Sequence, residues 1–399
     1  MRNFTLYLLT MKFYYLAILF LVATSCNSKD KNLIEFNPVN LEENGIALSK
    51  IANDINYIPL DNNFPIGLIH NNLVFTKNSI YFSVLDIGIL EFNRDGKFIR
   101  KIGSIGKGPG EYTYYVDFSV DDKTGTIYVR DRDNIVKVYS KTGSFQNHFS
   151  LKEYGNSYDA IMIYNSKLFV SCSIQYGDTK YDWIILDTLG ILIKKKSRSI
   201  PTFTSHTGGL EGIYKFDNKL YYWNHYTDTI FSIFPDLSEK PSFIISPGEH
   251  RLPRSRVSIE KLSQYMKLEN IFETKQFLAI KYFFSKDKNA FALIDKEQNI
   301  TFLTYLKPEE NGVLINYIGG IKNDLDGGIN FLPKCYITED GSEYLIGLIY
   351  PYQIKSIIET TEFKNSVPLY SEKKNELVSL SSRLTETDNP ILMMIRLRK

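Results

Sequence analysis

Short apolar runs separated by glycine, asparagine and aspartate recur through most of the chain. Ile80-Tyr81-Phe82 and Asp95-Gly96 are matched 47 residues later by Ile127-Tyr128-Val129 and Thr142-Gly143, and Gly190 keeps the glycine turn after another 47 residues. Each unit has the pattern strand, turn, strand, glycine turn, strand. Several short strands in a unit of about 40–50 residues are typical of a β-propeller blade, whose small sheet buries both faces only when neighbours stack on it. The pattern predicts an all-β propeller.

Extending the pattern predicts six four-stranded antiparallel blades. The strands of the first three blades are predicted at 68–75, 79–85, 88–93 and 98–102, at 116–120, 126–130, 135–139 and 145–149, and at 160–164, 168–172, 183–186 and 191–194. Those of blades four and five are predicted at 213–216, 219–223, 229–234 and 241–245, and at 268–273, 277–282, 290–295 and 300–303. Between these two blades, Ile259, Leu262 and Met266 have the spacing of one short amphipathic helix.

The sixth blade is interrupted, and the interruption predicts how the ring closes. Its first two strands are predicted at 328–332 and 344–349, and a polar, helix-like insertion at 352–389 precedes a third strand at 391–397. The fourth strand is then supplied by residues 55–60 from the other end of the domain, where Pro59 is tolerable only at a sheet edge. Pairing the terminal strands removes the exposed edges that an open array would leave.

The N-terminus has the features of a lipoprotein signal peptide over residues 1–25. Lys12 precedes an apolar run over 13–23, too short for a comfortable membrane span, and Thr24 and Ser25 precede Cys26. Cys26 is the predicted lipidation site, although Ala23 stands where such motifs more often carry leucine. An ordinary secretory peptide that ends near a cysteine is the alternative. Residues 26–53 are predicted as a flexible tether, because their first part is polar, and residues 54–399 as the propeller.

Charge and cysteine content narrow the function. Cleavage after residue 25 removes Arg2 and Lys12 and no acid, so 47 − 2 = 45 basic residues face 45 acidic ones. A net charge near zero argues against nucleic acid, whose phosphates require clustered cations. Cys172 and Cys335 remain, as two buried thiols or as one bridge, which sequence does not decide.

The candidate binding residues come from the loops that share one side of a propeller. Connections between blades emerge beside the loops that join each blade's second and third strands, and loops on a rigid scaffold are where function concentrates. The glycine-rich loop 106–112 resembles a phosphate cradle, but it lacks the Lys-Ser or Lys-Thr ending of one, which favours a simple blade connection with exposed side chains. The candidates are Lys107, Glu111, Tyr112, Asp131, Arg132, Asp133, Trp223, His225, Tyr226 and Asp228. Trp223 and Tyr226 suit a sugar or peptide, although packing between blades is the favoured interpretation of Trp223.

Four segments resemble the six-bladed β-propeller lipoproteins of Gram-negative, Bacteroides-type bacteria, which are related to NHL-repeat propellers. They are NYIPL at 56–60, FNRDGKFIRKIG at 92–103, GKGPGEY at 106–112 and NPILM at 389–393. The resemblance covers nearly the whole mature chain. It implies the propeller fold, an outer-membrane location on the periplasmic or cell-surface side, and a binding role, and it transfers no catalytic residue.

Enzymatic motifs are not evident. The five histidines have no metal-ligand spacing, and no nucleophile elbow or His-Glu-x-x-His sequence occurs. The sequence therefore favours a lipid-anchored envelope propeller that binds or scaffolds a protein, peptide or glycan. The alternative is a propeller hydrolase or lyase with a divalent cation in its central channel, assembled from one residue per blade.

Overall fold

The structure is a computed structural model of the 399-residue chain. It describes residues 33–39, 41–67, 69–113, 117–156, 158–173, 179–198, 201, 203–205, 212–283, 288–309 and 317–399. The predicted signal peptide and Cys26 lie outside the described residues. Residues Glu35–Lys399 form one compact unit.

The segment that precedes the first full sheet is packed against the protein, so the predicted tether over residues 26–53 extends too far. It contains β1 (Ile34–Phe36), α1 (Leu48–Ile51) and β2 (Ala52–Pro59). Leu48 and Ile51 are buried in the apolar core, and the backbone N–H of Leu48 donates to Lys322 at 2.9 Å. Asn44 is hydrogen-bonded through its side chain to the backbone of Leu303 at 2.8 Å. Apolar burial and backbone pairing therefore order residues that composition alone assigns to a tether.

Three four-stranded antiparallel sheets follow in chain order. The first contains β3 (Ile69–Phe75), β4 (Ser79–Val84), β5 (Gly88–Asn93) and β6 (Phe98–Ile102), and the short strands β7 (Ser104–Ile105) and β8 (Glu111–Tyr112) pair in parallel beyond it. The second contains β9 (Asp117–Val120), β10 (Ile127–Asp131), β11 (Ile135–Tyr139) and β12 (Phe145–Ser150). The third contains β13 (Tyr158–Tyr164), β14 (Lys167–Cys172), β15 (Tyr181–Leu186) and β16 (Leu192–Ser197).

Three further sheets complete the described fold. The fourth contains β17 (Gly212–Phe216), β18 (Lys219–Trp223), β19 (Thr229–Ile233) and β20 (Glu239–Ile245), with β1 beside β20, and is followed by α2 (Ile259–Leu262). The fifth contains β21 (Lys267–Glu273), β22 (Phe277–Phe283), β23 (Asn289–Asp295), β24 (Ile300–Pro308) and β25 (Tyr317–Ile318). The sixth contains β26 (Pro333–Glu339), β27 (Ser342–Ile349) and, after α3 (Pro351–Glu359), α4 (Thr361–Asn365) and α5 (Ser371–Arg383), β28 (Ile391–Leu397). Its order is β2-β28-β27-β26.

The two ends of the domain meet in the sixth sheet. Strand β2 pairs antiparallel with β28, with Ile55 opposite Ile395, and Pro59 ends the outer strand, as the sequence predicts. The first strand of each sheet contacts that of the next, from β3 through β9, β13, β17 and β21 to β26, and β26 contacts β3. The arrangement is propeller-like.

Two local predictions are wrong. Residues 328–332 do not form the first strand of the sixth sheet, which is β26 (Pro333–Glu339). The earlier segment is a loop, because buried Asp326 accepts a hydrogen bond from the Gly328 N–H at 2.8 Å and the amide of buried Asn323 donates to the Ile329 carbonyl at 3.2 Å, and these contacts replace a sheet ladder. Helix α2 is not amphipathic in the predicted way, because the side chain of Ile259 is 77% exposed while Met266 lies beyond the helix and is buried.

Candidate functional site

We use "connection face" for the side of the molecule that carries the loop between the second and third strands of each sheet and the segments that join successive sheets. Antiparallel strands bring these two classes of connection to the same side. All ten predicted binding residues lie in such connections or at the strand ends that border them. Some of their side chains are exposed, whereas others are almost completely buried.

The loop over residues 106–112 is built around its own glutamate. The carboxylate of Glu111 accepts a hydrogen bond from the Gly108 N–H at 2.7 Å, and a side chain at Gly106 would overlap it. Tyr112 is fully buried; its hydroxyl accepts from the Ile89 N–H at 2.8 Å and donates to the Ile102 carbonyl at 2.7 Å. The prediction that Tyr112 is exposed is therefore wrong. The loop is a structural connection, and Lys107 is its exposed charged side chain.

Asp131 is also a structural group. It is 5% exposed and accepts hydrogen bonds from the N–H groups of Thr113 (2.8 Å) and Arg132 (2.7 Å), and it pairs with Lys137 at 2.9 Å. Burial alone would raise the pKa of Asp131, but the hydrogen bonds from Thr113, Lys137 and Arg132 lower it below its usual value. The next residues, Arg132 and Asp133, begin a one-turn 3-10 helix and are exposed. They remain available to a partner.

The predicted aromatic pair is buried. Trp223 is 5% exposed and lies against Gly212, where any side chain would overlap the indole. Tyr226 is 1% exposed; its ring packs edge-on against Phe203, and its hydroxyl donates to Ser205 at 2.8 Å. Trp223 is therefore a packing residue, as the alternative interpretation predicts, and Tyr226 is a packing residue too.

The remaining two candidates, His225 and Asp228, contact the segment that joins β20 to β21 and the start of β21. His225 is 7% exposed, and its Nε2 accepts a hydrogen bond from the Leu268 N–H at 2.5 Å. Asp228 forms a bidentate ion pair with the guanidinium of Arg251. Both line a small cavity of about 20 Å³, too small for more than a water molecule. These two contacts attach the loop after β18 to β21 and to the segment before it.

A much larger cleft of about 1410 Å³ lies elsewhere on the connection face, and we call it the insertion cleft. Its walls are the ends of β22, β24 and β27, the start of β26, the loop over residues 319–332, and helices α3 and α4. None of the ten predicted residues lines it. The sequence feature that contributes to it is the helix-like insertion predicted at 352–389.

The loop wall of the insertion cleft is held by a fully buried carboxylate. Asp326 accepts hydrogen bonds from the Tyr57 hydroxyl (2.6 Å), the Asn323 amide (2.6 Å) and the Gly328 N–H (2.8 Å). Burial raises the pKa of Asp326, and these three hydrogen bonds oppose that rise only in part. Because every donor comes from the wall or from β2, the cluster fixes the loop to the sixth sheet.

The helical wall is tied to the loop wall and to the end of β24. The backbone N–H groups of Leu369 and Tyr370 donate to the carbonyls of Asp324 and Leu325, at 2.9 and 2.8 Å. Glu309 accepts a hydrogen bond from the Tyr352 hydroxyl at 2.6 Å. These contacts cross the cleft from one wall to another, so the cavity is preformed.

Among the described residues, no group of three or more histidine, cysteine, aspartate or glutamate side chains is arranged to hold a metal ion. Cys172 lies in β14 and Cys335 in β26, and no disulfide occurs in the described part of the chain. None of the described helices is long and apolar enough to cross a bilayer.

Comparison with known proteins identifies the family. A family model described as "Domain of unknown function (DUF4934)" matches residues 32–396. The chain belongs to the DUF4934 family. A search of curated proteins finds no significant match.

A solved structure supports the fold of this DUF4934 protein. The crystal structure of an exported protein from Bacteroides fragilis is 19% identical, with a TM-score of 0.62, over 92% of this chain and 99% of that one. A DUF4221 family member from Bacteroides vulgatus is 12% identical with a TM-score of 0.49, over 90% and 99% of the two chains. A streptogramin B lyase is 11% identical with a TM-score of 0.44, over 86% and 98%. At 19% identity, the similarity to the Bacteroides fragilis protein concerns the fold alone.

Proposed function

We propose that this protein is a lipid-anchored cell-envelope propeller that binds a peptide, protein or glycan partner in the insertion cleft. The preformed cleft is the observation that carries the proposal. Its volume exceeds the roughly 300–1,000 Å³ of common small-molecule sites, so a chain-like ligand fits. Helices α3 and α4, which no blade requires, form one of its walls.

The proposal includes a closed ring of six blades. It is supported by the contacts that run from the first strand of one sheet to the next and return from β26 to β3. It is supported also by the pairing of β2 with β28, which joins the two ends of the domain. A closed ring leaves only short, protected sheet edges and presents its connections on a rigid base.

The proposed location is the outer membrane, on its periplasmic or cell-surface side. The short apolar run that ends in Thr24-Ser25-Cys26 supports an exported lipoprotein. The similarity to an exported Bacteroides fragilis protein agrees with export. The relation to NHL-repeat propellers remains part of this proposal.

Lipidation is tested by Cys26→Ala. We expect the variant to leave the membrane fraction of a Gram-negative host, because acyl chains supply about 0.8 kcal/mol of anchoring free energy per buried methylene. Fractionation and metabolic labelling with a fatty acid provide the readouts, and Ser28→Ala is the matched control that should stay bound and labelled. A Cys26→Ala protein that stays in the membrane, with no label on either form, would show that the cysteine carries no lipid.

Binding in the cleft is tested by Ser356→Trp. Ser356 is exposed on α3 and lines the cleft, so an indole there fills space without replacing a buried side chain. Binding is measured on arrays of oligosaccharides and peptides. We expect the variant to bind at least about tenfold more weakly than the wild type, because the indole occupies part of the cleft that the ligand would fill. Ser379→Trp, on the exposed side of α5 and away from the cleft, should bind like the wild type. Equal binding by both variants would place the ligand elsewhere.

A further inference from the structure

The acidic groups of the insertion cleft are largely committed to protein partners. Glu269 pairs with Lys281 at 2.6 Å, and that ammonium group also lies 4.9 Å from the centre of the Tyr317 ring. Glu309 accepts from the Tyr352 hydroxyl, as described above. Asp324 accepts hydrogen bonds from the backbone N–H (2.8 Å) and the hydroxyl (2.5 Å) of one serine in α1. These carboxylates have little acceptor capacity left for a ligand.

Three lysines in the same cleft have no such commitment. Lys307, Lys322 and Lys334 all line it and are exposed. Within the described ranges, their ammonium groups take part in no ion pair or hydrogen bond. Lys307 and Lys322 directly follow the buried residues Leu306 and Ile321, and the alternation of a chain with extended backbone turns them away from the core. Among the described lining residues, Glu362 of α4 is the one carboxylate that is likewise without a partner, so the free ionic groups of the cleft are three donors and one acceptor.

Lys334 occupies the most enclosed of the three positions. It stands at the start of β26, a strand that contacts its counterparts in the neighbouring sheets, and its carbonyl accepts from the Asn270 amide at 2.7 Å. Surrounding protein, together with the nearby Lys281 ammonium, lowers the pKa of Lys334, and the Glu269 carboxylate opposes this only in part. Water still reaches the side chain, because the protein that surrounds it is the wall of an open cleft. An anion bound there would stabilise the charged form of the enclosed Lys334 ammonium group.

Resting on the proposed function, we infer that the ligand of the insertion cleft carries an anionic group, most simply a carboxylate, and that Lys334 binds it with Lys307 and Lys322 beside it. The ammonium groups donate charge-assisted hydrogen bonds, which are stronger than those between neutral groups. The three committed carboxylates hold the walls, and the lysines outnumber the one uncommitted carboxylate, Glu362, by three to one. Peptides and acidic sugars both supply carboxylates, and the experiment separates them.

The first experiment uses pyridoxal 5′-phosphate on the full-length protein in detergent. Its aldehyde forms an imine with a neutral amine as water leaves, borohydride fixes the product, and peptide mapping locates it. We expect Lys334 to react at least about tenfold faster than the exposed Lys123, because a lowered pKa leaves more neutral amine and the phosphate is attracted to the cleft. Pyridoxal, which lacks the phosphate, should show a smaller preference. Equal preference with both reagents would overturn the anion site.

The second experiment measures affinity by calorimetry for oligogalacturonate, a glutamate-rich peptide and neutral maltoheptaose. We expect one of the two acidic probes to bind, maltoheptaose not to bind, and Lys334→Gln to weaken binding at least about tenfold. Lys334→Arg keeps the charge and should retain most of the affinity, as should Lys123→Gln. Whichever acidic probe binds identifies the carboxylate source.

The two proposals fail differently. If a neutral array ligand loses affinity with Ser356→Trp and keeps it with Lys334→Gln, the cleft is a binding site and the anion inference is wrong. If an acidic probe loses affinity with Lys334→Gln and also with Ser356→Trp, both stand. Binding that neither substitution alters would contradict both.

Discussion

A chain that stops after Pro390 is expected not to form a stable fold. It lacks β28, which lies between β2 and β27 and contributes five large apolar side chains that are almost completely buried. Burying such a side chain stabilises a protein by about 1.5–3 kcal/mol, so the loss is roughly 8–15 kcal/mol. That matches the whole net stability of an ordinary domain, about 5–15 kcal/mol. The loss also exposes the ladder edges of both neighbouring strands.

The measurement is urea unfolding followed by circular dichroism, with solubility as a second readout. A chain that stops after Leu397 keeps the entire strand and is the matched control, which should unfold cooperatively near the wild-type midpoint. We expect the shorter chain to aggregate or to show no cooperative transition. If it unfolds cooperatively at the control's midpoint, β28 does not join the ends of the domain in the way described.

The regular part of the fold was predictable because its signals are local. Gly96, Gly143 and Gly190 have φ of 83°, 81° and 87° at the predicted hairpin turns, a conformation that glycine adopts without strain. The strands between them are short and apolar, so their bounds agree with prediction within three residues in the first five sheets, except that β24 continues to Pro308. The pairing of β2 with β28 also followed from the sequence, because the sixth blade lacked a strand and the N-terminal run lacked a sheet.

Long-range polar contacts account for what the sequence did not reveal. The loop before β26 is shaped by Asp326 and Asn323, whose partners include Tyr57, far away in the chain. Likewise, the packing of Leu48 depends on residues near 322. Neither the periodicity nor the composition of a sequence indicates such contacts. Residues 328–332 were therefore predicted as a strand and residues 26–53 as a tether.

The candidate site shows the same limit. Tyr112, Trp223 and Tyr226 lie in connections or at the strand ends that border them, where aromatic side chains suggest recognition. All three side chains are nevertheless buried. Loop position predicted that these residues lie on the connection face, but not which of their side chains reach solvent. The cleft required the insertion, the loop over residues 319–332 and two sheets to come together, and the sequence predicted only the first of these.

Gly96→Ala is expected to be the most damaging of the glycine substitutions in the hairpin turns. The added methyl group would overlap the carbonyl oxygen of Pro59 in β2, and the Gly96 carbonyl accepts a hydrogen bond from the Asp61 N–H at 2.8 Å. A left-handed conformation costs an alanine about 1–2 kcal/mol, and forced overpacking adds about 1–3 kcal/mol. We therefore expect the free energy of unfolding to fall by about 2–5 kcal/mol, measured by urea denaturation.

Two other turns separate the conformational cost from the contact. Gly341 has φ of 73° with nothing within 4 Å of an added methyl, and Gly143, one repeat after Gly96, has neighbours no closer than 3.3 Å. Gly341→Ala should lose only about 1–2 kcal/mol, and Gly143→Ala slightly more, because both bear the strain of positive φ without a backbone overlap. Since Pro59 belongs to the sixth sheet and Gly96 to the first, the excess loss in Gly96→Ala reports the packing of these two sheets on each other. Equal losses for Gly96→Ala and Gly341→Ala would mean that β2 does not press against this turn.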